Sequence, residues 1–141
     1  MGRPEDLYSL FVSDKGMDTI VQKIITRAKK DRDVLALAYF GSFARGEKHR
    51  DVDICIFLMP KKYAERELSK KKMQYTQENE KYDIQIFQQL PVYIRDRIFR
   101  EARFIYCADE DILYDLFFAH EREYEHFKPR YEDYLGAVAD G

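Results

Sequence analysis

The stretch LALAYFGSFARGEKHRDVDICIFL, Leu35 to Leu58, decides the fold. An apolar run ends at Gly-Ser, the chain turns, and a second apolar run begins with two aspartates at its mouth. Val34 to Phe40 reads as a buried strand ending at Gly41. Val52 to Leu58 reads as another, apolar on both faces as a central strand is. Asp51 and Asp53 are separated by one residue, so on a strand both carboxylates project from one face. Carboxylates at the edge of a hydrophobic strand cost free energy unless a positive group sits beside them. That strand contains no lysine or arginine, which points to a metal ion.

Working outward, the pattern Ile20, Val21, Ile24, Ile25 and Ala28 has helical spacing, with Lys29 and Lys30 in the last turn where cations suit the helix dipole. Pro4, Glu5 and Asp6 can open an earlier short helix containing Leu7, Leu10 and Phe11. After Pro60, the charged region from Tyr63 to Glu80 reads as an exposed helix and loop that packs little. Tyr82 to Phe87 is a third strand, with Tyr82, Ile84 and Ile86 on one face and Asp83, Gln85 and Phe87 on the other. A helix begins near Pro91 and is followed by a short extended piece. A long helix then runs from about Asp109 towards Val138, and Pro129 is expected to bend or interrupt it. Leu113, Phe117, His120, Tyr124, Phe127, Tyr131, Tyr134 and Val138 recur along it by fours and threes. That stripe is either a core-facing side or an intermolecular seam, through which the chain would form a homodimer or meet a partner protein. His120 and His126 read as surface or seam residues of that helix, and His49 as a solvated loop residue. The order is an α/β (α+β) arrangement, a small mixed sheet flanked by helices.

If the second and third strands are neighbours, Asp51, Asp53 and Asp83 converge. Three anions at close range need divalent cations, and Mg²⁺ prefers such oxygen ligands together with substrate phosphates. Gly41 permits close backbone approach, and Ser42 offers a hydroxyl where "SFARG" can open a helix whose free N–H groups face a phosphate. Phosphate cradle and carboxylates together read as a nucleoside triphosphate with Mg²⁺, two ions, and transfer at the α-phosphorus.

Composition bounds the rest. The chain has 141 residues, read as one domain over 1–141, of which 45% are hydrophobic and 35% charged, with a net charge of −2. That balance argues against nucleic-acid binding by bulk electrostatics. No apolar run approaches the roughly 20 residues of a membrane span, and no signal-peptide core is present. The two cysteines, Cys55 and Cys107, read as reduced thiols of a cytoplasmic protein.

The segment GSFARGEKHRDVDICIF resembles the G-S-x-A-x-G…D-x-D signature of the DNA polymerase β-like nucleotidyltransferases, and more narrowly the minimal nucleotidyltransferases, or MNT domains. The resemblance extends to the third strand and the long C-terminal helix, which the family shares. It implies that Gly41 and Ser42 hold the triphosphate, with Arg45 a further candidate, that Asp51 and Asp53 bind metal, and that Asp83 is the third carboxylate. It also implies ATP as substrate and a HEPN-domain toxin as partner, with AMP moved onto a tyrosine hydroxyl. Many members carry Ser or Thr before the first aspartate, where this chain has Arg50, and the turn from Gly46 to Asp51 is shorter than the common form. An antitoxin that acts by contact alone, or a small-molecule nucleotidyltransferase, are the alternative readings.

Overall fold

The computed structural model describes residues 19–41, 52–77 and 82–140; within the last segment, side chains are described for 82–129, 135 and 136. The short helix expected after Pro4 lies outside these residues. Helix α1 (Thr19–Lys30) buries Val21, Ile24, Ile25 and Ala28 and ends on Arg27, Lys29 and Lys30. The chain then reverses through a tight turn in which the Asp31 carboxylate accepts the Asp33 N–H at 3.0 Å. Strands β1 (Val34–Phe40) and β2 (Val52–Leu58) follow, with the bounds expected from the sequence. Helix α2 (Glu65–Thr76) crosses back to β3 (Tyr82–Ile86), and a 3-10 turn (Phe87–Gln89) leads to α3 (Val92–Glu101). β4 (Arg103–Cys107) and α4 (Glu110–Asp140) complete the order.

The sheet runs β3-β2-β1-β4. β1 pairs antiparallel with both β2 and β4, whereas β2 and β3 are parallel. The extended piece expected before the last helix is therefore a full member of the sheet. β1 is covered on both sides by neighbours, which explains its unbroken apolar composition. A bulge between Val34 and Ala36 breaks strict alternation, so Leu35 and Ala36 face the same layer in succession.

Helices α1 and α2 cover one face, packing Val21, Ile24, Leu68 and Tyr75 on Val52, Ile54, Ile56 and Ile84. Helices α3 and α4 cover the other, where Ile98, Phe99, Leu113 and Tyr114 meet Cys55, Phe57, Phe87 and Phe104. Gln88 fastens the end of β2 to the turn after β3, donating to the Leu58 carbonyl at 2.8 Å and accepting the Leu58 N–H at 3.1 Å. Among the described residues no helix is long and apolar enough to cross a membrane.

Two expectations change. The charged α2 does pack: Leu68 and Tyr75 are buried, and the Tyr75 hydroxyl donates to Asp31 at 3.1 Å. Lys71 binds the same Asp31 oxygen at 2.8 Å, so two apolar-face residues among many charges suffice to seat the helix. Burial, then the Asp31 charge, pushes the Tyr75 hydroxyl far above its ordinary pKa, and it stays a neutral donor. Second, α4 continues through Pro129 without interruption. The carbonyl left without an intrahelical donor belongs to Glu125, an exposed residue whose carbonyl solvent can reach. Of the two settings expected for His120, surface or seam, the structure has the seam: it is 2% exposed, inside the α3–α4 interface. The near half of the apolar stripe, from Leu113 to Phe127, is used within the chain: Phe117 lies edge-on to Phe99 and Phe127 stacks on Tyr93.

Candidate active site

Antiparallel pairing brings the C-terminal end of β1 to the N-terminal end of β2, and parallel pairing sets the start of β3 beside it. The register is Phe40 with Asp53 and Asp53 with Asp83. Partners in adjacent strands lie about 4.8 Å apart with side chains on one face, so the two carboxylates stand next to each other. They share the face of Cys55, Phe57 and Phe87, which α3 and α4 cover further along the strands. At the sheet end Asp53 is half-buried and Asp83 exposed.

Gly41 follows immediately after β1 with φ +74°, a conformation that L side chains rarely adopt. A Cβ placed there would stand 2.5 Å from Asp53 Oδ2. The glycine thus serves two needs, a left-handed turn out of the strand and room for the Asp53 carboxylate. Gly41→Ala is expected to cost about 1–2 kcal/mol of stability for the forced φ and to rotate the Asp53 carboxylate away. Urea unfolding measures the first effect, and a crystal structure of the variant shows the second.

Asp83 is held in turn. Gln85 Nε2 donates to Asp83 Oδ1 at 3.2 Å, and Lys72 Nζ of α2 donates to Gln85 Oε1 at 3.3 Å. Strand alternation places Gln85 on the face of Asp83, so its proximity was readable from sequence; the reach of Lys72 across from α2 was not. Ser42, Arg45 and Asp51 lie outside the described residues. Of the six residues singled out from the sequence, the structure brings Gly41, Asp53 and Asp83 together.

A second polar cluster sits apart, in the α3–α4 interface. Asp96, His120 and Glu121 approach one another closely enough to share an ion. Asp96 is already neutralised, with Oδ2 receiving Arg100 Nε at 2.9 Å and Oδ1 3.2 Å from His120 Nε2. Aromatic rings of Phe87, Phe99 and Tyr124 surround the histidine, and among the described residues His120 Nδ1 has no hydrogen-bond partner. These contacts make it a polar pin between two helices.

The sequence profile of the family described as polymerase beta, nucleotidyltransferase matches residues 22–111, which span every strand of the sheet. That is more than half of the chain, and the chain belongs to this family. The fold is also that of solved nucleotidyltransferase antitoxins. One similar structure is a toxin–antitoxin with AMP-PNP, at TM-score 0.63 and 14% identity, covering 84% of this chain and 98% of that one. Another is the toxin–antitoxin MntA-HepT, at TM-score 0.61 and 12% identity, covering 85% and 97%. A third is a tri-AMPylated HEPN toxin from Shewanella oneidensis in complex with its MNT antitoxin, at TM-score 0.58 and 12% identity, covering 84% and 92%. Among curated protein sequences nothing matches.

Proposed function

We propose that this chain is a Mg²⁺-dependent nucleotidyltransferase that moves AMP from ATP onto a tyrosine hydroxyl of a HEPN-domain partner, and that it acts in this way as an antitoxin. The observation that carries the reading is the pairing of Asp53 with Asp83 at an open sheet end, beside a glycine that leaves the carboxylate its room. The AMP-PNP and the AMPylated toxin of the similar structures support the same chemistry.

The donors fit the metal. Asp51, Asp53 and Asp83 offer oxygen atoms alone, the set that Mg²⁺ favours over softer ions. When bound, two such ions would neutralise phosphate charge and make the acceptor hydroxyl more acidic. Gly41 and Ser42 hold the triphosphate, the glycine by leaving the backbone open to close approach, with Arg45 as a further phosphate contact. Gln85 engages Asp83 Oδ1, so Oδ2 is the oxygen that takes the proton of the acceptor hydroxyl. That hydroxyl oxygen bonds to the α-phosphorus, the bond from the α-phosphorus to the bridging oxygen breaks, and pyrophosphate leaves with the electron pair.

The test is the intact mass of the HEPN-domain partner after incubation with this chain, ATP and Mg²⁺. The expected result is a gain in steps of one AMP, abolished by a chelator and absent with the Asp51→Asn/Asp53→Asn variant. A stable complex with no mass gain from any of the four triphosphates would replace this reading with neutralisation by contact, the role to which Arg50 before the first aspartate would then belong.

A further inference from the structure

β3 is the terminal strand of the sheet, hydrogen-bonded to β2 on one side and, among the described residues, to no strand on the other. Its outer edge offers main-chain N–H and C=O groups at the spacing of an extended polypeptide. Beside it lies a groove of about 630 Å³, lined by Ser69, Lys72, Met73, Thr76 and Gln77 and by Gln89 of the 3-10 turn. Four of these α2 positions fall at helical spacing, so a single face of α2 forms the wall. Met73 is 62% exposed there, a large apolar side chain left in solvent.

We propose that this edge and groove seat an extended segment of the acceptor protein as an added strand on β3, which delivers the acceptor hydroxyl to Asp83. The inference rests on the nucleotidyltransferase reading above and adds how the partner is held. The chemistry of the lining selects the occupant: two hydroxyls, two amides and a thioether match peptide groups, and a single cation is a poor host for a nucleic-acid backbone. The groove is also joined to the catalytic end by hydrogen bonds, because Lys72 binds Gln85 and Gln85 binds Asp83. On a strand added to β3, the residue opposite Asp83 points its side chain to the face that Asp53 and Asp83 share. A tyrosine at that register presents its hydroxyl to the carboxylates. In the absence of a partner, Lys72 guards the edge as lysines commonly do, holding a neutral amide oxygen at 3.3 Å that an incoming segment can replace.

Hydrogen exchange and affinity, both measured with the HEPN-domain protein and without ATP, decide the docking independently of transfer. Amides from Ile84 to Phe87 are expected to slow at least about tenfold in the complex, and Met73→Arg to weaken binding by about tenfold. Because Met73 is exposed, the variant is expected to keep the wild-type unfolding midpoint, which separates lost docking from lost folding. Slowed exchange with weakened Met73→Arg binding but no AMP transfer would remove the transfer reading and keep the docking site. Transfer to the wild-type rate by Met73→Arg with unchanged exchange along β3, or no complex at all, would overturn the docking site.

Discussion

Asp53→Asn is expected to lower AMP transfer by about a thousandfold or more while the chain stays folded. The exchange keeps shape and removes one anionic oxygen from the pair at the sheet end. Losing a ligand that neutralises transition-state charge costs several kcal/mol, and about 4 kcal/mol corresponds to a thousandfold in rate. Stability moves the other way or hardly at all. Asp53 and Asp83 are like charges at paired strand positions, an arrangement that destabilises an unliganded sheet. Removing one charge therefore raises the unfolding free energy, by no more than about 1 kcal/mol, and the strand stays held by β1 and β3 through its backbone. Single-turnover mass measurements beside urea unfolding check both halves. A variant that transfers AMP at the wild-type rate would sink the metal role of Asp53; one that unfolds would make the residue a structural member. A variant that folds, fails to transfer and still protects cells from the HEPN partner would show that contact alone neutralises it.

Much of this site was legible because it is built from strand geometry. The ends of β1 and β2 are marked by composition, Gly41 by its position between an apolar run and a turn, and the shared face of Gln85 with Asp83 by alternation alone. What alternation leaves open is register between strands: that Asp53 meets Asp83 depends on the parallel pairing of β2 and β3, a long-range choice set by the α2 crossover. β4 was weaker in sequence. Only five residues long, Arg103–Cys107 joins the sheet because β1 offers it a second edge. The packing of α2 was hidden by its charges, since two buried side chains carry little weight in a pattern of twelve residues. His120 was legible as a seam residue, but what faces it was not. Its partner Asp96 is 24 residues away on another helix, and the spacing along α4 shows a stripe without showing what faces it.

Phe57→Ala is expected to have the largest effect on stability. Phe57 is fully buried near the end of β2, on the face that α3 and α4 cover. Its ring stacks on Phe87 at 4.6 Å between centroids and meets Phe104 at 5.3 Å and Phe99 at 5.6 Å. Three elements thus close on one side chain: the turn after β3, β4 and α3. Truncation removes the aromatic contacts and leaves a cavity whose walls are strands and helices that collapse poorly, for a loss of about 3–5 kcal/mol. Against the roughly 5–15 kcal/mol that holds an ordinary domain, this is a large fraction. Urea unfolding is expected to show a lower midpoint with an unchanged slope. The consequence reaches the site as well. Asp53, Cys55 and Phe57 alternate along one face of β2, so the packing of Phe57 fixes the strand that presents Asp53 to Asp83. AMP transfer by the variant is expected to fall with temperature in step with unfolding, and at low temperature to stay within about tenfold of wild type. A loss below about 1 kcal/mol would show that the aromatic cluster is not what joins the helical layer to the sheet.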